Sequence, residues 1–233
     1  MEFIRNLIDN GLIFPKVTIQ SVGQVWFYII FVFALLVCII LPYLLGSLNF
    51  AVILSRKMFN EDVREHGSKN GGATNMLRTY GKKAAALTFA LDILKAIVSA
   101  LIGYVIWGIN GASVAGLFCM IGHMFPIYYK FKGGKGVATL AATVLMIDYR
   151  VCIILLVCFV AIVFMTKFVS LGSVMCCLIY PLILYRMTMP GLHVVMAVIA
   201  AALVIFMHRA NIKRLLAGTE SKISFSKKDK KHE

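Results

Sequence analysis

Acidic residues are scarce in this sequence. Asp and Glu number ten among 233 residues, against 24 Lys and Arg, so the formal net charge is +14. With so few carboxylates there is no acidic run to hold the metal ions of a CDP-alcohol lipid synthase. Also lacking are a GxSxG nucleophile elbow, a GxxxxGK[ST] phosphate loop and an HxxxxD stretch of the kind that serves many acyltransferases as a general base. The six cysteines, Cys38, Cys119, Cys152, Cys158, Cys176 and Cys177, form no CxxC and no metal-ligand spacing, and they read as small buried hydrophobes. Neither a metal nor another cofactor is expected. No internal repeat and no Pro- or Ser-rich linker divides the chain.

Apolar residues dominate instead. They make up 61% of the chain, and the mean hydropathy is +0.88, well above the usual composition of a soluble domain. Trp26 to Leu54 and Val151 to Thr166 carry no charge at all. A membrane-crossing helix needs about 20 mostly apolar residues. The fold class expected is therefore an all-α integral membrane protein. Seven spans are predicted, at about 25–54, 84–107, 112–129, 136–148, 151–166, 170–186 and 191–208, with Pro42 and Gly46 bending the first.

The first 25 residues contain Glu2, Arg5, Asp9, Asn10 and Lys16 and lack the apolar core of a cleaved signal. Residues 1–24 are read as an N-terminal extension. Phe3, Ile4, Leu7 and Ile8 recur at helical spacing there, which fits either a helix lying on the membrane surface or a loose tail. Residues 25–223 form the membrane domain and 224–233 a basic tail.

The cations give a direction. With the N-terminus outside, the inner segments hold nineteen Lys and Arg and the outer ones only Arg5, Lys16, Arg150 and Arg186. Positive residues concentrate on the cytoplasmic side, so the C-terminus is expected in the cytoplasm. The positive charge is then explained by anionic membrane lipid rather than by nucleic acid.

Four polar stretches fall on that same side: "HGSKNGGATNMLRTYGKK", "GHMFPIYYKFKGGKGVAT", "TKFVSLGS" and "HRANIKRLLAGTE". Together they suggest one site. In the second, Gly133, Gly134, Lys135 and Gly136 open a span, where backbone N–H groups and a lysine can receive an anion; a flexible basic turn is the alternative. The first offers Ser68, Asn70, Thr74 and Asn75, followed by Arg78, which can grip phosphate with two hydrogen bonds. His208 and Asn211 are three residues apart and share a helix face, as do Ser170 and Ser173. His123 reads first as a residue packed beside the site. Asp92 and Lys95, one turn apart inside a span, fit a structural ion pair. A site of cations, N–H donors and hydroxyls suits a reaction between two anionic partners.

Taken together, the stretches resemble the bacterial PlsY family of acyl-phosphate:glycerol-3-phosphate acyltransferases. The resemblance runs from "YLLGSLNFAVILSR" to "GTESKI". The family's first motif is close to SGNxGATNxxRxxGKxxG followed by DxxKG, and "SKNGGATNMLRTYGKKAA" and "DILKA" stand there in this chain, while GHxFPxxxxFKGGKGVAT is met at every fixed position. "SLGS" and "HRANIKRLLAGTE" supply the third region. Lys69 and Ala96 depart from it, each standing where the family usually has glycine.

The resemblance implies transfer of an acyl chain from acyl phosphate to the 1-hydroxyl of glycerol 3-phosphate, giving lysophosphatidic acid and phosphate at the bacterial inner membrane. By motif, Ser68, Arg78, Lys135, Ser173, His208 and Asn211 would line the reaction site. Gly133, Gly134 and Gly136 would cradle the donor phosphate, with Asn70, Thr74, Asn75 and His123 among the substrate-binding residues. The enzyme that supplies acyl phosphate is the implied protein partner. Two rival classes share the same features: a transporter for a phosphorylated metabolite, and a lipid-binding assembly protein without chemistry.

Overall fold

The structure, a computed structural model, describes residues 23–223. The expected surface helix of the N-terminal extension and the basic tail beyond residue 223 lie outside the described residues.

Among the described residues every regular element is helical. They are α1 (Gln24–Gly46), α2 (Phe50–Phe59), α3 (Ala73–Tyr80), α4 (Lys82–Met124), α5 (Val137–Ile147), α6 (Tyr149–Thr166), α7 (Val169–Met187), α8 (Leu192–Met207) and α9 (Arg209–Leu216). Four helical stretches are long and apolar enough to cross a membrane, and a fifth is obtained if the bent pair α8–α9 counts as one; α5 is a shorter apolar helix. Large apolar side chains such as Trp26, Phe33, Leu156 and Phe164 cover the outer faces. In a bilayer such faces meet lipid, and the backbone is satisfied within each helix.

Helix α4 is one element only in name. A straight helix of 43 residues would run about 65 Å at 1.5 Å per residue. Instead, Lys95 Nζ lies 3.0 Å from His123 Nδ1, and a Cβ added at Gly103 would strike the Gly111 carbonyl. The chain therefore turns back at Trp107 and Gly108, where Gly108 has a φ of 56°, a value that suits glycine. The two legs, 82–107 and 108–124, are close to the separate spans expected at 84–107 and 112–129.

The first expected span, 25–54, lies within the helical stretch Gln24–Phe59, and its expected bend at Gly46 is a break between two helices. Helix α1 keeps Pro42 inside it and stops at Gly46. Gly46 sits hard against the Cys119 backbone, where a Cβ would come within 2.0 Å of the carbonyl oxygen. Asn49 then starts α2 by accepting a hydrogen bond from the Val52 N–H, the usual helix-capping arrangement. The four later spans keep their expected boundaries to within two residues, whereas the leg 108–124 begins four residues and ends five residues before the expected 112–129.

Legs and long helices alternate in direction, so the loops at 47–49, 60–72, 125–136 and 167–168 gather at one end with the segment 208–223, which carries α9. The main core, which includes Met120, Met124, Leu140, Tyr180, Leu184 and Val204, lies between that end and the opposite rim.

Candidate active site

The polar loops enclose a cleft of about 180 Å³. Ser68, Asn70, Thr74, Asn75, Arg78, His123, Lys135, Gly136, Ser173, His208 and Asn211 all line it, together with Asp92, Ser170 and Glu220. Four stretches far apart in sequence thus meet in one place, as expected. Phe89, Phe159 and Val169 form an apolar part of the wall.

Three helices begin at the cleft. Gly72, Gly136 and Phe168 precede α3, α5 and α7, and none of these starts has a side-chain cap. The first N–H groups of a helix have no partner within it, and the helix dipole adds positive potential there. Gly72, Ala73 and Thr74, then Gly136, Val137 and Ala138, then Val169 and Ser170 face the cleft. Gly136 has a φ of 82°, and a Cβ there would also strike Met124 and Met120.

Two cations stand among these donors. Arg78 is exposed and has no hydrogen bond or ion pair among the described residues. Lys135 is half-buried, and its ammonium lies 2.5 Å from Asn211 Oδ1. Burial lowers the Lys135 pKa to about 8; Glu220 pulls it up, while Arg214 and Arg78 push it further down. Asn211 in turn donates from Nδ2 to Glu220 at 2.6 Å. The same carboxylate accepts from Ser170 at 2.7 Å and from Arg214 at 2.7 Å. Burial alone would raise the Glu220 pKa, but these three donors outweigh it and hold it below the usual carboxylate range. Glu220 is brought in by the segment after α9, which folds back so that the Ile223 N–H reaches the Lys167 carbonyl at 2.8 Å.

His208 Nδ1 lies 2.8 Å from the Val204 carbonyl. A carbonyl only accepts, so Nδ1 carries the proton and Nε2 of the neutral ring offers a lone pair. Ser173 donates to the Val169 carbonyl at 3.0 Å, which leaves its oxygen free to accept.

Three expectations are corrected. The N–H groups of Gly133 and Gly134 do not cradle phosphate, because they donate to the carbonyls of Met124 and His123 at 3.1 and 3.0 Å. These glycines are needed for space: a Cβ on Gly134 would lie 2.0 Å from His123 Nε2, and one on Gly133 would lie 2.0 Å from the His123 carbonyl oxygen. Asn75 lines the cleft, but its amide is committed to folding the loop. It donates to the carbonyls of Val63 and His66, at 2.8 and 3.0 Å, and accepts from the Ser68 N–H at 2.8 Å.

Several supporting residues were not singled out in the sequence. Arg64 donates to the carbonyls of Tyr129 and Lys132, at 3.1 and 2.9 Å, and is itself held by Asp62 at 2.7 Å. Asn49 donates to the Gly71 carbonyl at 3.2 Å. Glu220 stood within "GTE" with no pattern to mark it as the hub of a network.

The family model described as "Glycerol-3-phosphate acyltransferase" matches residues 36–218. The chain belongs to this family. It is an acyltransferase of phospholipid synthesis and an integral membrane protein. A glycerol-3-phosphate acyltransferase from Thermoanaerobacter sp. (strain X514) is 44% identical over 184 residues, which is 79% of this chain and 93% of that protein. One from Finegoldia magna is 41% identical over 189 residues, 79% and 93% of the two chains. Among solved structures, the glycerol 3-phosphate form of PlsY, an integral membrane glycerol 3-phosphate acyltransferase, superposes with a TM-score of 0.78 at 38% identity, covering 82% of this chain and 96% of that one. Its lysophosphatidic acid form gives 0.75 at 36% identity, covering 82% and 95%. Membership in this family sets aside the transporter and the assembly protein.

Proposed function

We propose that the acyltransferase uses acyl phosphate as donor and the 1-hydroxyl of glycerol 3-phosphate as acceptor, releasing lysophosphatidic acid and inorganic phosphate. The observation that carries the proposal is the convergence of three uncapped helix starts, Arg78 and Lys135 on one cleft that also has an apolar wall. Two phosphates must be held close together in this reaction, one on each substrate, and the cleft offers donors on several sides for them. Arg78, Lys135, Ser68 and the starts of α3, α5 and α7 take the phosphates, and Phe89 and Phe159 take the beginning of the acyl chain. The hydroxyl oxygen attacks the acyl carbonyl carbon, and the C–O bond to phosphate breaks. Phosphate is a good leaving group, so positioning and charge stabilisation carry most of the work. The hydroxyl proton leaves with the phosphate, and His208 and Asn211 orient the acceptor.

In the same proposal the chain crosses the bacterial inner membrane seven times, with the N-terminus outside and the cleft at the cytoplasmic face. Nineteen cations against four support that direction. A single cysteine placed at the exposed Lys132 of a cysteine-free variant should resist impermeant thiol reagents in intact cells; labelling without permeabilisation would reverse the orientation. An enzyme that makes acyl phosphate is the expected supplying partner.

The donor is tested by offering purified protein acyl phosphate or acyl-CoA with labelled glycerol 3-phosphate. Lysophosphatidic acid should form with acyl phosphate alone. Rapid turnover with acyl-CoA in its place would overturn the donor assignment.

A further inference from the structure

A carboxylate at an anion-binding cleft calls for a physical reason. Asp92 lies in the leg 82–107 of α4, lines the cleft and is 1% exposed. Lys95 approaches its Oδ1 to 2.7 Å, yet the ammonium donates to the Leu48 carbonyl at 2.7 Å and lies 3.0 Å from His123 Nδ1. Oδ1 is therefore held by the Lys95 ammonium in a poorly aligned ion pair, with His123 Nδ1 a further 3.5 Å contact. No donor among the described residues bonds Oδ2.

The rest of the cleft is rich in donors, and its open acceptors are neutral ones, His208 Nε2 and the Ser173 hydroxyl. Arg78, Lys135 and the helix starts can only donate. The other carboxylate, Glu220, already accepts from Ser170, Asn211 and Arg214, and the Asn211 oxygen is taken by Lys135. A phosphate satisfies the donors. The glycerol part of a glycerol phosphate brings hydroxyl protons, and a buried hydroxyl needs an acceptor. Asp92 is the one carboxylate of the cleft with free lone pairs among the described residues, and Lys95 keeps it from repelling the bound anion.

We infer that Asp92 accepts a hydrogen bond from a hydroxyl of glycerol 3-phosphate and so selects a polyol phosphate over a phosphate that lacks the hydroxyl. The inference rests on the substrate proposed above. A site built to bind a hydroxyl rejects the analogue without it far more strongly than an apolar pocket rejects a missing methylene.

The test compares three ligands on the purified enzyme in lipid nanodiscs: glycerol 3-phosphate, propane-1,3-diol 1-phosphate, which lacks the 2-hydroxyl, and propane-1,2-diol 1-phosphate, which lacks the acylated hydroxyl. One diol phosphate should bind the wild type roughly ten- to a hundredfold more weakly than glycerol 3-phosphate, the loss of one charged hydrogen bond. The double variant Asp92→Leu with Lys95→Met removes the acceptor together with its buried counter-charge. In it that gap should close to within about threefold, while inorganic phosphate binds as before. Asp92→Asn keeps the volume if the double variant does not fold, and there the gap should narrow. Equal binding of all three ligands by the wild type would overturn the inference. So would an unchanged gap in the variants, which would assign the hydroxyl to His208 Nε2. Turnover of glycerol 3-phosphate by the wild type is scored separately, so a failed substrate assignment cannot be mistaken for a failed role of Asp92.

Discussion

The ammonium of Lys135 and the side-chain oxygen of Asn211 lie 2.5 Å apart, although 76 residues separate them in sequence. The amide fixes the cation on one side and passes a hydrogen bond to Glu220 on the other. A lysine on a glycine-rich turn would otherwise swing freely; here it is held over the start of α5. Asn211→Leu should leave Lys135 unanchored and remove one donor from a buried carboxylate. A lost hydrogen bond to a charged group costs about 1.5–3 kcal/mol. The variant should therefore unfold at a lower temperature in detergent, with turnover down roughly ten- to a hundredfold. Wild-type values for both would show that the bond contributes nothing.

The lowered pKa of Lys135, about 8, sets a pH limit. The protonated ammonium is the form that binds phosphate. Binding is full well below pH 8, is halved near that value and is lost as pH rises through it. In the free enzyme, kcat/KM for glycerol 3-phosphate should fall on the alkaline side with a midpoint near 8. Lys135→Arg keeps its charge at any accessible pH, so its alkaline limb should vanish whatever its absolute rate. An identical limb in Lys135→Arg would assign the titration to another group.

Gly134→Ala should be severe for a steric reason. Its new Cβ would meet His123 Nε2 at 2.0 Å and the Gly71 carbonyl at 3.0 Å. Overpacking of a buried site costs about 1–3 kcal/mol. Removing the obstructing ring in the double variant His123→Ala with Gly134→Ala should recover part of that loss, read as coupling in a double-mutant cycle of thermal unfolding. Additive losses would place the clash elsewhere.

Lys69 is held in the left-handed region, with a φ of 56°. A side chain there costs roughly 1–2 kcal/mol relative to a right-handed residue, whereas glycine visits the region freely. Lys69→Gly should raise the unfolding temperature and leave the cleft intact, since Lys69 does not line it. A lower melting temperature would mean that the lysine makes a stabilising contact that outweighs its backbone strain.

Much of this was legible in the sequence because the bilayer imposes simple rules. Uncharged runs such as Trp26 to Leu54 mark apolar helices without any tertiary information, and the asymmetry of Lys and Arg places four polar stretches together. Arg78, Lys135, His208 and Asn211 could be singled out because cations, an imidazole and glycines in short polar stretches are rare beside apolar runs. The interior was harder to read. Gly133 and Gly134 look like a phosphate cradle in one dimension, but the third dimension puts His123 against them and spends their N–H groups on carbonyls. Asn75 reads as a ligand until its partners at Val63, His66 and Ser68 are known. Glu220 has no local signal of a hub, and the pattern around Asp92 points only to its pairing with Lys95; the further roles of both depend on which residues the folded chain brings to them. The Asp92–Lys95 pair was expected; the open lone pairs of Asp92 were not.

The central claim is that one cleft holds two phosphates and joins an acyl group to the glycerol between them. The most direct measurement follows lysophosphatidic acid and inorganic phosphate together, from purified protein in nanodiscs supplied with acyl phosphate and labelled glycerol 3-phosphate. Wild-type protein should release the two products in equal amounts. Arg78→Met and Lys135→Ala, each folded by its melting temperature, should slow both products alike by roughly ten- to over a hundredfold. Phosphate release without lysophosphatidic acid, or full rates in both variants, would contradict the account.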